Sequence, residues 1–434
     1  MGKYFGTDGI RGVYEENLTL ELAYKLGVSI AQCLAPKTLV IGMDTRSSSE
    51  ALAHAVIEGY KTFSDHIIFA GVCSTPMIAH YAKMKNITGV MITASHNPYQ
   101  YNGIKVFNKG FKLTADEEML IEERMSTVIY REKAFKKYKI SEDVKNAYLK
   151  VYEDLNLNQA DLNVGLDCAN GATYQVAFQI LNDIVKDLTV IGNNPDGYNI
   201  NKGYGSTSPE ALIELVKEKG LDIGFAFDGD GDRIFVVDRE GNIYDGDLLV
   251  YVIASYLKDK NELNHDTVVL TKMSNPGLLK ALKDMGIMYI LTDVGDKYVA
   301  EALMKEGLSV GGESSGHLIM PKLLHSGDGL LIATLILKIL NETHKTLKEL
   351  TSDVILYPLK LVNLKDMDKS ILDEPEIIAS IEGIKESLGK ESLCLIRPSG
   401  TEPLIRITIS HQDEDVMNDA IHQMIKLLKK EVII

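Results

Sequence analysis

Apolar residues in the first 95 positions alternate between the spacing of a helix and that of a buried strand. Residues 18–34 (LTLELAYKLGVSIAQCL) carry apolar side chains at helical intervals, and 37–44 (KTLVIGMD) is a short apolar run typical of a strand. The same reading continues with helices over 47–63 and 74–86 and strands over 66–72 and 87–95. Strands that alternate with helices of this length favour a largely parallel sheet with crossover helices.

The alternation starts again twice further along the chain. One series runs from LNVGLDCANG at 162–171 to DIGFAFDGD at 222–230, and another from TVVLTKMS at 267–274 to LSVGGESSGH at 308–317. The strands IGMDTR (41–46) and VGLDCANG both reach Asp just before a turn, which suggests that the first two series are repeats of one unit.

From about residue 357 the pattern becomes that of a small α+β domain. Strands are predicted within 357–365 and 392–411, and helices over 373–389 and 412–430. The polar stretch 130–148 is typical of a connection between the first two series. A length of 434 residues fits three or four domains at roughly 150 residues or fewer each.

Charge and cysteine content narrow the classes of function. The formal net charge is −15 at pH 7, so a phosphate-rich polymer is repelled on average, and we set nucleic acid aside as a partner. A small phosphorylated ligand remains compatible if a local cationic site receives it. The four cysteines lie far apart without metal or disulfide spacing, which is typical of a protein from a reducing cytoplasm.

We expect neither an export signal nor a membrane segment. The N-terminus has no apolar stretch of the kind that a signal peptide requires. The longest apolar run, GLLIATLILKIL at 329–340, is shorter than the about 20 residues that cross a bilayer. A buried helix at 329–340 and a cytoplasmic protein are therefore expected.

The segment DGDGDR at 228–233 carries the strongest chemical signal. Asp228, Asp230 and Asp232 alternate with glycines directly after an apolar strand. Three carboxylates this close repel one another unless a cation neutralises them, and oxygen ligands alone suit Mg²⁺ or Ca²⁺. An EF-hand needs Gly at the sixth loop position and Glu at the twelfth, where this chain has Arg233 and Arg239. The alternative to a metal site is an acidic, solvated turn.

The glycine-rich segment GGESSGH at 311–317 has polar groups that suit a sugar. Glu313, Ser315 and His317 stand at alternate positions, so their side chains share one face if the segment is extended. Such a face could bind sugar hydroxyls. A plain polar turn before a strand is the alternative.

The turn RPSGTEP at 397–403 has the groups of a phosphate-binding nest. Arg397 supplies a guanidinium, Ser399 and Thr401 supply hydroxyls, and Gly400 leaves backbone N–H groups accessible. An ordinary hairpin requires none of these together, so we expect a phosphate monoester to bind there.

The segment TASHNP at 93–98 raises the question of what Ser95 does. It lacks the G-x-S-x-G elbow of a serine hydrolase. Neighbouring side chains on a strand point apart, so we expect His96 to be poorly placed as the direct base for Ser95. A turn in which Ser95 only caps the chain stays open as an alternative.

Taken together, these stretches resemble the α-D-phosphohexomutase family in the same order over the whole chain. The matching motifs are FGTDGIRG (5–12), TASHNP (93–98), DGDGDR (228–233), VGDKYV (294–299), GGESSGH (311–317) and RPSGTEP (397–403). FGTDGIRG and VGDKYV resemble the glucosamine branch rather than the phosphomannomutase/phosphoglucomutase branch. Ser314 departs from that branch, where Gln is expected.

The resemblance implies an α/β fold in which three related mixed-sheet α/β domains and a C-terminal α+β domain surround a central cleft. One key loop from each domain would reach that cleft. The expected domains are a phosphoserine-bearing domain at 1–142, a metal-binding domain at 143–245, a sugar-recognition domain at 246–355 and a phosphate-binding domain at 356–434.

The resemblance also implies roles for individual residues. Ser95 resembles the phosphoserine that gives and receives the phosphoryl group, and a phosphate oxygen on it would complete the Mg²⁺ site of the three aspartates. Lys105 is the expected general acid or base, with a pKa lowered by nearby cations. The other expected catalytic residues are Arg11 and His96, the expected substrate-binding residues are Arg233, Lys297, Glu313, Ser315, His317, Arg397, Ser399, Gly400 and Thr401, and Asn102 is a supporting candidate.

The implied activity is the reversible conversion of glucosamine 6-phosphate to glucosamine 1-phosphate through a 1,6-bisphosphate, which feeds amino-sugar nucleotide and cell-wall synthesis. Unmodified Ser95 would be inactive, so glucosamine or glucose 1,6-bisphosphate, or a kinase, would have to prime it. The alternatives are a phosphomannomutase/phosphoglucomutase with the same machinery, a non-catalytic phosphosugar-binding protein, and a serine hydrolase, which the missing elbow disfavours.

Overall fold

Four sheets, each packed against helices, follow one another within the residues that the computed structural model describes, namely 3–6, 8–35, 37–155, 157–398 and 404–429. None of the helices in these ranges combines the length and hydrophobicity that crossing a membrane requires. The fold class predicted from the sequence is confirmed, whereas the residue boundaries of the domains stay predictions.

The first domain contains a mixed sheet with the strand order β1-β2-β6-β5-β3-β4, and β7 pairs with β6. Its elements are β1 (Phe5–Gly6), β2 (Gly9–Val13), α1 (Leu20–Cys33), β3 (Leu39–Met43), α2 (Ser49–Tyr60), β4 (Ile67–Val72), α3 (Thr75–Lys85), β5 (Thr88–Ile92), β6 (Tyr101–Asn108), β7 (Phe111–Lys112) and α4 (Ala115–Thr127). β3 is parallel to β4 and β5, but β5 and β6 are antiparallel because a short loop joins them. The sheet is therefore mixed rather than largely parallel.

The second domain repeats this plan with the strand order β12-β11-β10-β8-β9. Its elements are α5 (Asp143–Asp154), β8 (Ala160–Asp167), α6 (Val176–Asn182), β9 (Val185–Ile191), α7 (Glu210–Lys219), β10 (Ile223–Phe227), β11 (Ile234–Asp238) and β12 (Ile243–Tyr244). β8 lies parallel to β9 and β10, while β10 and β11 are antiparallel. The acidic loop 228–233 is the connection between β10 and β11, so it lies at the carboxyl end of a buried strand.

The third domain has the strand order β14-β13-β15-β16. Its elements are α8 (Gly246–Asp259), β13 (Thr267–Thr271), α9 (Pro276–Asp284), β14 (Met288–Thr292), α10 (Asp296–Glu306), β15 (Gly311–Gly312), β16 (Leu318–Ile319), α11 (Gly329–Thr343) and α12 (Leu347–Leu350). α11 is buried along most of its length, which confirms the helix predicted at 329–340.

The fourth domain is an antiparallel sheet with the order β17-β19-β18, covered by two helices. Its elements are β17 (Leu359–Lys365), α13 (Pro375–Leu388), β18 (Leu393–Pro398), β19 (Leu404–Ser410) and α14 (Glu414–Lys429). Its buried apolar residues form a cluster of their own, whereas one cluster extends through the second and third domains into the first. A separate core of this kind would let the fourth domain move as a unit.

The start of α11 contains a buried carboxylate with a testable pH signature. Asp328 caps the helix by accepting from the Leu331 N–H at 3.0 Å, and the Tyr148 hydroxyl donates to it at 2.8 Å. Burial raises the pKa of Asp328 to about 7, although these hydrogen bonds lower it. The folded protein thus holds this proton more tightly than the unfolded chain does, so the stabilising contribution is complete below about pH 4 and is lost as the pH rises to about 7.

Replacing Asp328 with Asn, which still caps but does not ionise, tests that assignment. Between pH 5 and 7.5 the free energy of unfolding of Asp328→Asn should rise by roughly 1 to 3 kcal/mol relative to the parent protein. Chemical denaturation across this pH range measures the difference. A difference that does not change with pH would contradict the account.

Candidate active site

The loop between β5 and β6 places Ser95 against the second domain. β5 ends at Ile92, earlier than the predicted strand, and Ser95 has a left-handed backbone with φ of 53°. Its Oγ donates a hydrogen bond of 2.6 Å to Oδ2 of Asp228, and the residue is 1% exposed. The serine therefore lies buried on the acidic loop of another domain, which argues against a purely local capping role.

His96 contacts Ser95, so the expectation that the two side chains point apart was wrong, although the Ser95 hydroxyl donates to Asp228 in this structure. Its Nδ1 lies 3.3 Å from Ser95 Oγ. Alternation of side chains holds only along an extended strand, and the left-handed conformation of Ser95 breaks it. Burial, followed by the charges of Arg233 and Arg11, lowers the pKa of His96 to about 4. The ring is neutral at pH 7.

The three aspartates after β10 converge. One oxygen from each of Asp228, Asp230 and Asp232 lies within 4.8 Å of the other two, and all three residues are buried. The glycines between them permit this packing: a Cβ at Gly229 would lie 2.6 Å from the Ser95 carbonyl oxygen, and Gly231 has φ of 74°.

The charge and the free oxygens of this cluster fit a divalent cation. Burial, with the charges of Asp232 and Asp230, raises the pKa of Asp228 well above its ordinary value. Oδ1 of Asp230 and Oδ1 of Asp232 are buried without a hydrogen-bond partner. Carboxylate oxygens that repel one another and lack partners are a suitable ligand set for Mg²⁺.

Lys105, on β6, lies among carboxylates rather than among cations. Its Nζ is 2.9 Å from both Asp230 Oδ2 and Asp232 Oδ2 and 3.1 Å from Asp8 Oδ2. Burial alone lowers the pKa of Lys105, but these three charges outweigh it and raise the pKa well above its ordinary value. The prediction of a pKa lowered by neighbouring cations was therefore wrong, and Lys105 is an ammonium at neutral pH.

The GGESSGH segment forms a hairpin turn between β15 and β16 instead of an extended face. Gly316 has φ of 87°, and a Cβ there would lie 2.2 Å from the Ile234 carbonyl oxygen, so the turn requires glycine. For this reason the prediction that Glu313, Ser315 and His317 share one face was wrong. Glu313 accepts from the Gly295 N–H at 2.9 Å, and the Ser315 Oγ is buried without a partner.

His317 leaves this turn towards the acidic cluster. Its Nδ1 lies 3.6 Å from Asp232 Oδ1 and its Nε2 lies 3.4 Å from Asp296 Oδ2. Burial lowers its pKa, but Asp296 and Asp232 raise the pKa to about 9. The imidazolium is thus a second cation beside the aspartates, contributed by the third domain.

A chain of ion pairs links the first and third domains beside the site. Lys112 Nζ lies 2.6 Å from Asp8 Oδ1 and 2.6 Å from Asp296 Oδ2, and Arg11 also pairs with Asp8. The Nε of Arg11 is buried without a partner. Sequence reasoning did not single out Asp8, Lys112 or Asp296, since these contacts join residues on different elements.

Two further residues near the cluster differ from the sequence-based expectations: Thr75 was not predicted to contact it, and Asn102 has a different role. Thr75, at the first turn of α3, donates from Oγ1 to Asp230 Oδ2 at 2.5 Å and from its N–H to the Asp230 carbonyl at 2.9 Å. Asn102 donates to the hydroxyls of Ser48 and Ser49, so its amide anchors α2. Asn102 is a packing residue in this structure.

A cavity of about 340 Å³ opens beside the cluster between the first and third domains. Lys105, Asp232, His317 and Lys297 are part of its lining. Lys297 also lies 3.7 Å from Glu118. Outside this lining, Arg233 places its Nε 3.9 Å from Asp232 Oδ1, and that Nε has no hydrogen-bond partner.

Arg397 brings the fourth domain to the same region. Burial and the neighbouring Arg406 lower its pKa, while the charge of Glu313 raises it. The charge of Glu313, in the segment 311–317, therefore acts on the guanidinium of Arg397. The Nε of Arg397 is buried without a hydrogen-bond partner. Ser399, Gly400 and Thr401 lie outside the described residues, so the phosphate nest they would form stays a prediction.

Fold and site together define a multidomain α/β phosphoryl-transfer enzyme, with a buried serine on a carboxylate cluster and cations from all four domains in the same region. Models of the phosphoglucomutase/phosphomannomutase family match four consecutive regions: α/β/α domain I at 2–132, domain II at 142–241, domain III at 245–357 and the C-terminal domain at 360–427. The chain belongs to this family of phosphohexomutases, which are isomerases.

Individual relatives agree with this assignment. A phosphoglucosamine mutase of Bacillus cytotoxicus is 42% identical and is covered over 99% of its length by the whole chain. A phosphoglucomutase/phosphomannomutase family protein of Burkholderia thailandensis has a similar structure, with a TM-score of 0.80, 20% identity and 98% of each chain covered. The Aspergillus fumigatus N-acetylphosphoglucosamine mutase in complex with GlcNAc-6P and magnesium has a TM-score of 0.66 at 17% identity, over 99% of this chain and 96% of that one. The last two show the shared fold.

Proposed function

We propose that this chain interconverts glucosamine 6-phosphate and glucosamine 1-phosphate, with Ser95 as the phosphoryl carrier. The observation that carries the proposal is the contact of Ser95 Oγ with Asp228 at 2.6 Å, within a buried cluster of three carboxylates. The full-length relative named phosphoglucosamine mutase supports the choice of an amino sugar.

The proposed cycle moves one phosphoryl group from phosphorylated Ser95 to the free hydroxyl of the hexosamine monophosphate. The other phosphoryl group of the resulting 1,6-bisphosphate then returns to Ser95. Mg²⁺ held by Asp228, Asp230 and Asp232 would neutralise negative charge on the phosphoryl oxygens. Ser95 is 1% exposed in this structure, and its burial would limit loss of the phosphoryl group to water.

The cations around the cluster would handle charge and protons in this cycle. Lys105, as an ammonium, is proposed to donate a hydrogen bond to the transferring group and to act as the general acid. In the return step Ser95 Oγ attacks the bisphosphate and must lose its proton, which the neutral His96, 3.3 Å from that oxygen, would accept. The imidazolium of His317 and the guanidiniums of Arg11 and Arg233 would attract the phosphate oxygens.

The distal phosphate would bind at the fourth domain. Arg397 and the loop 399–401 are proposed to hold it while transfer takes place at Ser95. The bisphosphate must then turn by about half a rotation, and movement of the fourth domain on its separate core would allow this without release. Priming of Ser95 by a hexose 1,6-bisphosphate or by a kinase belongs to the same proposal.

Rates with three 6-phosphates test the sugar preference. After priming with glucose 1,6-bisphosphate, kcat/KM for glucosamine 6-phosphate should exceed that for glucose 6-phosphate and mannose 6-phosphate by at least about tenfold. A preference of the same size for glucose or mannose would overturn the choice of substrate. Binding of all three without turnover would favour a non-catalytic phosphosugar-binding protein instead.

A further inference from the structure

Three hydrogen bonds to side chains hold the backbone of Ser95. Its N–H donates to the Thr93 Oγ1 at 2.9 Å, and its carbonyl accepts from Arg46 at 2.9 Å and from Asn201 at 2.9 Å. The left-handed φ of 53° is unfavourable for a residue other than glycine and persists only where the surroundings enforce it. These contacts supply that enforcement.

The guanidinium of Arg46 holds three backbone carbonyls of this one loop. It donates to the carbonyls of Ser95, Asn97 and Pro98 at 2.9, 2.8 and 2.6 Å. Its Nε donates to Asp44 Oδ2 at 2.8 Å, and the side chains of both residues are 0% exposed. Asp44 orients the guanidinium and balances its charge, so four hydrogen bonds fix a planar group with little freedom.

Asn201 approaches the same loop from the second domain. Its Nδ2 donates to the Ser95 carbonyl at 2.9 Å and to the Asn97 carbonyl at 3.0 Å. Each of these two carbonyls thus accepts one hydrogen bond from Arg46 of the first domain and one from Asn201 of the second. Gly229, in the acidic loop 228–233, packs against the Ser95 carbonyl. A Cβ at Gly229 would lie 2.6 Å from that carbonyl oxygen.

We propose that Arg46 and Asn201 are positioning residues that together hold Ser95 Oγ on the metal-binding loop. The proposal rests on the function given above and adds to it a carbonyl clamp, defined as these two side chains on the Ser95 and Asn97 carbonyls. Turning both carbonyls into the clamp directs Oγ of Ser95 towards Asp228. Neither clamp residue has a hydrogen bond to Asp228, Asp230 or Asp232 among the described contacts. Asn201 Nδ2 also lies beside Gly229, where a Cβ would come within 2.9 Å of it, so the clamp acts on the Ser95 loop and its packing on Gly229 rather than on the aspartates directly.

The experiment compares Arg46→Lys, Asn201→Ala and the double variant in the full chain. Single-turnover loading of Ser95 from glucose 1,6-bisphosphate is followed by intact mass, so every variant is compared with the same phosphoryl donor. Each single variant should load about tenfold more slowly, since displacement of a reacting group by a fraction of an ångström has effects of this order. The double variant should lose more than the product of the single effects, because only then do two carbonyls lose both donors.

Controls separate positioning from general damage to the fold. Asn199→Ala removes the same type of side chain as Asn201→Ala, two residues away in sequence. Ile57→Val removes a methyl group from the core of the first domain. Both should load phosphate within about twofold of the parent. Mg²⁺ affinity of the unphosphorylated protein, measured by calorimetry, should also stay within about twofold in every clamp variant, because the side-chain hydrogen bonds of Arg46 and Asn201 that define the clamp go to backbone carbonyls and not to the three aspartates.

The outcomes decide the proposal as follows. Loading within about twofold of the parent for both single variants, or a double variant that only multiplies the single effects, would overturn the clamp. Loss of Mg²⁺ affinity in step with the loading rate would also overturn it, because the substitutions would then have disturbed the whole site. If Arg46→Lys does not fold, Asn201→Ala and its Asn199→Ala control still decide the outcome.

A second readout distinguishes failure of the clamp from failure of the proposed function. If the parent protein accepts no phosphate from either glucose or glucosamine 1,6-bisphosphate, the proposed function fails, because its cycle returns a phosphoryl group from the bisphosphate to Ser95. Exchange of the amide hydrogens of residues 95–97 still tests the clamp: it should be at least about tenfold faster in Asn201→Ala than in Asn199→Ala. Equal exchange in these two variants would overturn the clamp regardless of activity.

Discussion

Replacing Ser95 with alanine is expected to reduce mutase turnover by at least about a thousandfold, because the variant has no oxygen to carry the phosphoryl group. Binding of the 6-phosphate substrate should remain measurable, since the cations of Lys105, His317 and Arg397 are unchanged. Coupled assay of 1-phosphate formation and calorimetric titration of the substrate measure the two effects separately.

A buried serine elsewhere in the first domain provides the matched control. Ser29 is 0% exposed, and its hydroxyl donates to the Lys25 carbonyl within α1. Ser29→Ala should retain the turnover of the parent. Turnover by Ser95→Ala within about tenfold of the parent would exclude the role of phosphoryl carrier, while leaving the fold assignment intact.

Replacing Asp230 with asparagine is expected to have the second largest effect. The substitution removes one of three converging carboxylates and leaves an amide N–H₂ beside Lys105. Affinity for Mg²⁺ should fall at least about tenfold and turnover at least about a hundredfold, since charge on the transferring phosphoryl group is then poorly neutralised. Titration calorimetry with MgCl₂ and steady-state rates at saturating Mg²⁺ check both.

The same substitution at the opposite end of β10 is the control for this effect. Asp222 precedes the strand and accepts from the Asn163 N–H at 2.8 Å, far along the strand from the cluster. Asp222→Asn should leave Mg²⁺ affinity unchanged. Turnover that survives removal of divalent ions by EDTA would count against a metal role for the aspartates, whichever variant is used.

Elements with a clear hydrophobic period could be predicted from the sequence, because burial alone determines them. α1 and the strands β3 and β10 fall within the predicted ranges, and α11 begins at the predicted Gly329 and continues to Thr343, beyond the predicted end at residue 340. The two Asp-turn strands also behave alike: Asp44 accepts from the Arg46 N–H and Asp167 from the Ala169 N–H, each two residues on. This similarity agrees with the repeat suggested by IGMDTR and VGLDCANG.

Backbone conformations that interrupt the regular spacing of apolar residues could not be predicted from the sequence in this way. The left-handed φ of Ser95 and the glycine turn at Gly316 both changed which side chains meet. Ser95 and His96 came into contact, and the residues from Glu313 to His317 lost their common face. Alternation predicts directions only where the chain is extended, so both errors have one physical cause.

Electrostatic surroundings were the other part that the sequence did not determine. The segment around Lys105 does not indicate the three carboxylates that surround its ammonium group, because these come from the loop between β10 and β11 and from the turn before β2. The donors that hold the Ser95 loop, Arg46 and Asn201, come from two domains. Long-range pairings of this kind depend on how the domains pack.

The most direct test of the central claim is the mass of the protein after exposure to glucose 1,6-bisphosphate and Mg²⁺. The account predicts a gain of about 80 Da, one phosphoryl group, located on Ser95 by fragmentation and lost again when excess glucosamine 6-phosphate is added. A protein whose mass does not change, or whose added phosphate lies on another residue, would contradict it.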